Sequence, residues 1–123
     1  MTSDSNSTVT LGHLRLPVTD LKGAVGFFEA MGAHQDVDRD GFAVVEFADR
    51  TRLQLTETKE AIKGDGLLQF DFRVEDIDAT WKEFSDKGLK PSDIARRNPG
   101  HDSFLLNGPD GFEVKVNSGF KRG

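Results

Sequence analysis

Cysteine and tyrosine are both absent from the 123 residues. Without cysteine there can be no disulfide, thiolate metal site, iron–sulfur cluster or thiol nucleophile. Without tyrosine no phenol can act as a general acid. Long apolar runs are missing too: no stretch approaches the roughly 20 residues that span a bilayer. Positive charge is in short supply, with Lys plus Arg at 16 against Asp plus Glu at 21, a net charge of −5. An acidic chain with no basic cluster is a poor nucleic-acid binder. Met1 to Thr10 is polar, with no basic start and no apolar core, so no secretory leader is expected and the cytoplasm is the expected location. No phosphate-cradling glycine loop or dinucleotide fingerprint occurs. What remains is a chain with 36% hydrophobic residues, enough for one folded core at this length.

The hydrophobic pattern runs strand, helix, three strands, and then repeats. Residues 1–10 read as a disordered tail rich in Ser, Thr, Asn and Asp. Leu11 to Val18 alternates, with Leu14, Leu16 and Val18 on one face and His13, Arg15 and Pro17 on the other. Thr19 or Asp20 can cap a helix whose stripe is Leu21, Ala24, Val25, Phe28 and Met31, and Gly32 stops it. Strands are expected near Ala33–Val37, Phe42–Ala48 and Arg52–Thr56, with an Asp40-Gly41 hairpin turn and a second turn at Asp49-Arg50. Residues 57–66 read as a charged linker. The second copy has a strand over Leu67–Val74, a helix capped by Asp76 with stripe Ile77, Trp81 and Phe84, and a stop at Gly88. Strands follow near Lys90–Ile94, Ser103–Leu106 and Phe112–Asn117, with a turn at Pro109-Asp110-Gly111. Val18 and Val74, Asp20 and Asp76, and Gly32 and Gly88 are each 56 positions apart; Asp49 and Asp110 are 61 apart. An insertion of five residues in the second half accounts for the change. Neither half, 11–56 or 67–118, can bury its apolar face alone, so the two are expected to pair into one curved unit.

Period-2 alternation groups His13, Arg15, Gln54, Gln69, Asp71, Arg73, Glu113, Lys115 and Asn117 on the faces opposite the apolar stripes. Two readings apply. The group lines a pocket for a small polar or anionic ligand, with Arg15 and Lys115 as charge partners, or it is a solvated sheet face with charges paired across strands. His101 stands where it can line the rim. His101-Asp102-Ser103 has the residue types of a hydrolase triad, but strand neighbours point to opposite faces and cannot form a relay. Asp36, Asp38, Asp40 and Gly41 begin like a calcium loop, but the closing Glu position holds Phe47; a hairpin with a charged tip accounts for them better.

The segments HLRLPVTDLKGAVGFFEAMG and LQFDFRVEDIDATWKEFSDKG, with the closing NGPDGFEVKV, resemble the two module openings and the ending of the vicinal oxygen chelate superfamily. That group includes glyoxalase I, extradiol dioxygenases, fosfomycin resistance enzymes and bleomycin resistance proteins. The resemblance implies an α+β fold of paired βαβββ modules forming an incomplete barrel, and a homodimer. It also implies four metal-ligand positions, which fall on His13, Gln54, Gln69 and Lys115. A protonated lysine has no lone pair for a metal and repels a cation. Both family carboxylates are replaced, so charge neutralisation is lost. No cofactor is therefore expected. The expected function is a small-molecule-binding protein of glyoxalase/bleomycin-resistance type without the usual metal site, its ligand held by His13, Arg15, Gln54, Gln69, Asp71, Lys115 and His101. The alternative is a glyoxalase- or dioxygenase-type lyase, isomerase or oxidoreductase acting on a small polar substrate, with His13 as candidate base. A third reading is a regulatory module with a vestigial cup.

Overall fold

The computed structural model describes residues 8–9, 11–60 and 66–123. Most of the expected disordered tail, and Gly64 and Asp65 of the expected linker, lie outside the described residues. The elements are β1 (His13–Val18), α1 (Leu21–Ala30), β2 (His34–Arg39), β3 (Phe42–Glu46), β4 (Arg52–Glu57), β5 (Phe72–Arg73), α2 (Ile77–Asp86), β6 (Ser103–Asn107) and β7 (Glu113–Asn117). Short 3₁₀ turns at Ala48–Arg50 and Pro109–Gly111 precede β4 and β7. One sheet has the order β1-β4-β3-β2 and the other β5-β7-β6. In each, the first strand of the half runs parallel to the last, and the remaining pairs are antiparallel. The result is α+β: two mixed sheets that do not close into a barrel.

The internal repeat is visible in the backbone. Asp20 caps α1 by accepting from the Gly23 N–H at 3.0 Å, and Asp76 caps α2 by accepting from the Ala79 N–H at the same distance. The two cap residues have φ, ψ of −123°, 93° and −120°, 97°. Each cap is worth about 1 kcal/mol. Gly32 and Gly88 leave the helices at positive φ. The turns 61 positions apart also match, with Asp49 at φ 57°, ψ 27° and Asp110 at φ 54°, ψ 28°.

The apolar faces meet in one core. Ala24, Val25 and Phe28 of α1 cover Leu16, Val18, Ala43, Val45, Leu53 and Leu55 of the first sheet. Phe84 of α2 packs edge-on against Phe104 of the second, their centroids 6.1 Å apart. The halves are joined by aromatic rings. Phe28, fully buried, lies 6.0 Å from Phe47 and 6.2 Å from Phe72, and Phe47 lies 5.0 Å from Phe72. Edge-to-face and tilted rings at these separations add favourable contact beyond the area they bury. At the surface, the Thr19 N–H and hydroxyl both donate to the Asp110 carboxylate, the N–H at 3.0 Å. The Lys87 ammonium donates to the Ala30 carbonyl at 3.1 Å, tying the two helix ends together.

The second half departs from the sequence expectation twice. The strand expected over Leu67–Val74 is broken. Leu67 pairs with Glu113 and Phe72 with Val116, so five steps along one chain run against three on its partner, and two residues bulge out around Gln69 and Phe70. A strict alternation of apolar residues cannot reveal a two-residue bulge, because it preserves the facing. The strand expected at Lys90–Ile94 does not form. Pro91 has no N–H for a ladder, and Lys90 sits at φ 53°, outside extended geometry. Ser92 stands in for part of it: its backbone N–H donates to the Leu105 carbonyl, and its hydroxyl accepts from the Leu105 N–H at 2.8 Å. Trp81 braces this segment by donating its indole N–H to the Ser92 carbonyl at 2.8 Å, while its ring packs against the core as expected. The hairpin with its charged tip also forms as expected, β2 and β3 turning at Asp40-Gly41; away from the tip, Asp36 of β2 pairs with Arg52 of β4 at 3.0 Å.

The matched turns carry one mismatch. Gly111 occupies its position at φ 79°, whereas the equivalent Arg50 holds φ 61°. A left-handed conformation costs a residue with a Cβ about 1–2 kcal/mol, and glycine gives back part of that in unfolded-chain entropy. Arg50→Gly is therefore expected to stabilise the fold by about 0.5–1 kcal/mol in urea denaturation, and Gly111→Ala to destabilise it by about 1 kcal/mol.

Candidate functional site

The polar faces of the two sheets carry the residues singled out by alternation, but one chain does not gather them into one cup. On the first sheet β1 lies beside β4, which puts His13 next to Arg52 and Arg15 next to Gln54. Arg52 is engaged, pairing with Asp36 at 3.0 Å and Glu46 at 3.5 Å. His13 and Arg15 are exposed and Gln54 is half-buried; their side chains have no polar partner among the described residues. Gln69 is exposed on the bulge that precedes β5.

On the second sheet a pocket of about 440 Å³ collects Asp71, Lys115 and His101 with Arg73, Arg97, Ser103 and Asn117, walled by Pro99 and Gly100. Its floor follows from strand register. Arg73 pairs with Asn117, which pairs in turn with Ser103, and Lys115 lies beside Leu105 on the same face. Its wall is the loop of residues 96–100, longer than the matching stretch of the first half. A second concavity, about 470 Å³, opens between the two halves. It is lined mainly by apolar groups, among them Leu14, Met31, Phe47, Phe70 and Phe72, with Asp71 and Arg73 bordering both cavities. The polar pocket is the better candidate because several charged and hydrogen-bonding groups converge there.

The loop wall is held by Asp102, a residue that sequence reasoning considered only as part of a triad. Its carboxylate accepts from the Lys121 ammonium at 2.7 Å, the Arg97 backbone N–H at 3.0 Å and the Arg96 guanidinium at 3.2 Å. Arg96 also reaches Asp78 on α2. The Asp102 N–H donates to the Ser118 hydroxyl at 2.9 Å, and Gly100 and Lys121 exchange backbone hydrogen bonds at 2.7 and 2.8 Å. The carboxylate is nearly buried and its pKa is held down to about 2, first by the Lys121 hydrogen bond and then by the Arg97 N–H. The sequence signal was the basic residues 96, 97 and 121 around a single acid, but nothing in the pattern indicated that the carboxyl tail returns to it.

His101 lies on the same rim. Its Nδ1 is 2.7 Å from the Ser118 carbonyl oxygen, which can only accept, so Nδ1 carries the proton and Nε2 is left free. The ring edge rests against Phe120 at 5.4 Å. Asn117 is 8% exposed, and its Oδ1 is buried without a hydrogen-bond partner.

The metal implied by the resemblance does not suit this donor set. Of the four positions, Lys115 offers an ammonium, Gln54 and Gln69 offer neutral amides, and His13 lies on the other sheet from Lys115. Among the described residues no group of three or more His, Asp or Glu side chains stands together as metal ligands do. No helix among them is long and apolar enough to cross a membrane.

Residues 10–116 match the sequence profile of the Glyoxalase/Bleomycin resistance protein/Dioxygenase superfamily. Solved structures share the fold at low identity. A bleomycin resistance determinant encoded on transposon Tn5 superimposes with a TM-score of 0.73 at 14% identity, over 89% of this chain and 98% of its own. A lactoylglutathione lyase from Agrobacterium tumefaciens gives 0.73 at 19% identity, over 94% and 96%. A glyoxalase/bleomycin resistance protein/dioxygenase from Alicyclobacillus acidocaldarius gives 0.73 at 19%, over 95% and 96%. Among curated proteins none matches the chain.

Because the Asp102 pKa is depressed, its contribution to stability is complete above the ordinary value of 3.8 and is lost as pH falls toward 2. Asp102→Asn is expected to lower the melting temperature at pH 7. The gap between wild type and variant should narrow between pH 4 and pH 2, as read by thermal denaturation at a series of pH values.

Proposed function

Because this chain belongs to the Glyoxalase/Bleomycin resistance protein/Dioxygenase superfamily, we propose that it is a cytoplasmic, homodimeric member that binds a small molecule without a metal. The observation that carries this reading is the polar pocket on the second sheet, where Asp71, His101 and Lys115 stand together. Its volume lies within the ordinary range for small-ligand sites. The solved structures with this fold include a resistance determinant and a lyase, so the fold serves both binding and catalysis. The donor chemistry favours binding. Lys115 occupies the last ligand position with a cation, and the other sheet contributes one imidazole and a neutral amide.

Two observations support pairing with a second copy. The edge strand β1 with the residue stretch before it, and the stretch leading into β5, expose apolar side chains, with Leu11 90%, Leu14 39% and Leu67 48% accessible. His13, Arg15 and Gln54 lie on the other sheet and do not line the pocket of their own chain, and a partner's second sheet would complete a cup around them.

Thermal unfolding after chelator treatment tests the metal reading. Nickel, zinc, manganese and ferrous iron at micromolar levels are each expected to leave the melting temperature unchanged. A metal present at 100 times its Kd would add about 2.7 kcal/mol, several degrees for a domain of this size. Such a shift with any one of them would return the chain to the metal-dependent lyases and dioxygenases. Sedimentation equilibrium tests the assembly. The expected mass is twice the 13.6 kDa chain, reverting toward the single chain in Leu11→Lys combined with Leu67→Lys; a wild-type monomer at high micromolar concentration would rule the pairing out.

A further inference from the structure

The second-sheet pocket has a charge that its surroundings do not explain. Arg73, Arg97 and Lys115 line it, and Asp71 is its one acidic residue. None of the three cationic side chains makes an ion pair or hydrogen bond among the described residues. Some other basic groups of the chain do find carboxylates. Arg52, Lys82, Lys87, Arg96 and Lys121 are all paired, and the chain as a whole carries −5. Three unpaired cations gathered in one concavity of an acidic protein leave a local charge of about +2 after Asp71 is counted.

Asn117 pairs with Arg73 on one strand and Ser103 on the other, which sets the Arg73 position beside the pocket floor. His101, held through Nδ1, offers its free Nε2 on the same rim. The loop that carries Arg97 is anchored from behind by Asp102 through the Arg97 backbone N–H, which leaves the guanidinium uncommitted. The arrangement is therefore already organised for an anion before any anion arrives.

We infer that the ligand is a small, doubly charged oxyanion whose charge is met by Arg73, Arg97 and Lys115. The inference rests on the small-molecule reading above and adds the chemical class. Dicarboxylates and phosphate monoesters share this chemistry. Their geometries differ, since a planar carboxylate suits a bidentate guanidinium and a phosphate can be shared among all three cations.

The test is a titration of ¹⁵N-labelled full-length protein followed by backbone amide shifts. Succinate and propyl phosphate probe the two sources, and glucose is the neutral probe. Succinate or propyl phosphate is expected to move the amides of Arg73, Ser103, Lys115 and Asn117, and whichever binds more tightly identifies the source. Lys115→Met and Arg97→Met should each weaken binding by about tenfold or more, and added salt should weaken it further. Anion affinity that neither substitution changes would overturn the inferred class. Binding of glucose with no response to either anion would overturn the anion and leave the small-molecule site standing. Silence of these amides toward all three probes would remove both.

Discussion

Each half of this chain makes a sheet with one apolar face and covers it with one ten-residue helix. That is too little surface to keep dry alone, and the structure depends on how the halves share the deficit. Phe28 is the residue at which they do so. It sits on α1, packs over the first sheet, and touches Phe72 at the start of the second. Phe47 closes the triangle from the turn before β4. With that contact in place the two cores become one cluster running from Leu16 to Val116. The outer polar faces are then left free for recognition, because the demands of burial are met on the other side.

The two copies have diverged in a way that makes one of them a site. The first half keeps four strands, with one bulge at Asp36 in β2. The second loses the strand that would precede β6, and residues 96–100 take its place as a loop over the sheet face. A loop needs anchoring where a strand has a ladder. Asp102 supplies it by gathering Lys121, Arg96 and the Arg97 N–H onto one carboxylate. The returning tail, which brings Ser118 to the Asp102 N–H and the His101 ring, completes the wall. The concavity on the second sheet thus comes from an irregularity. Electrostatics marks the same place: Arg73, Arg97 and Lys115, none of them in an ion pair, stand together where the loop overhangs β5 and β7.

Much of this was legible in the sequence. Helical stripes, caps at Asp20 and Asp76, and glycine stops at 32 and 88 are local features with a single physical solution, and they recur at a fixed spacing. The alternation of β1, β4 and β7 placed His13, Arg15, Gln54 and Lys115 on polar faces, because period-2 geometry allows nothing else. Where it misled, the cause was also physical. Alternation survives a two-residue bulge, so the irregularity at Gln69 left no mark in the pattern. Pro91 and the positive φ of Lys90 removed a strand that weak hydrophobicity had suggested.

The sequence by itself determined the repeat and the α+β class, because spacing and residue chemistry are properties of the chain alone. Tertiary structure decided which polar residues meet. His101, Lys115 and Asp71 come together with Arg73, Arg97 and Asn117, while His13, Arg15 and Gln54 stay on a separate sheet. That outcome depends on strand order, on a loop that replaces a strand and on a tail that folds back to Asp102. These are long-range contacts, and their register is set by packing rather than by any local preference of the residues involved.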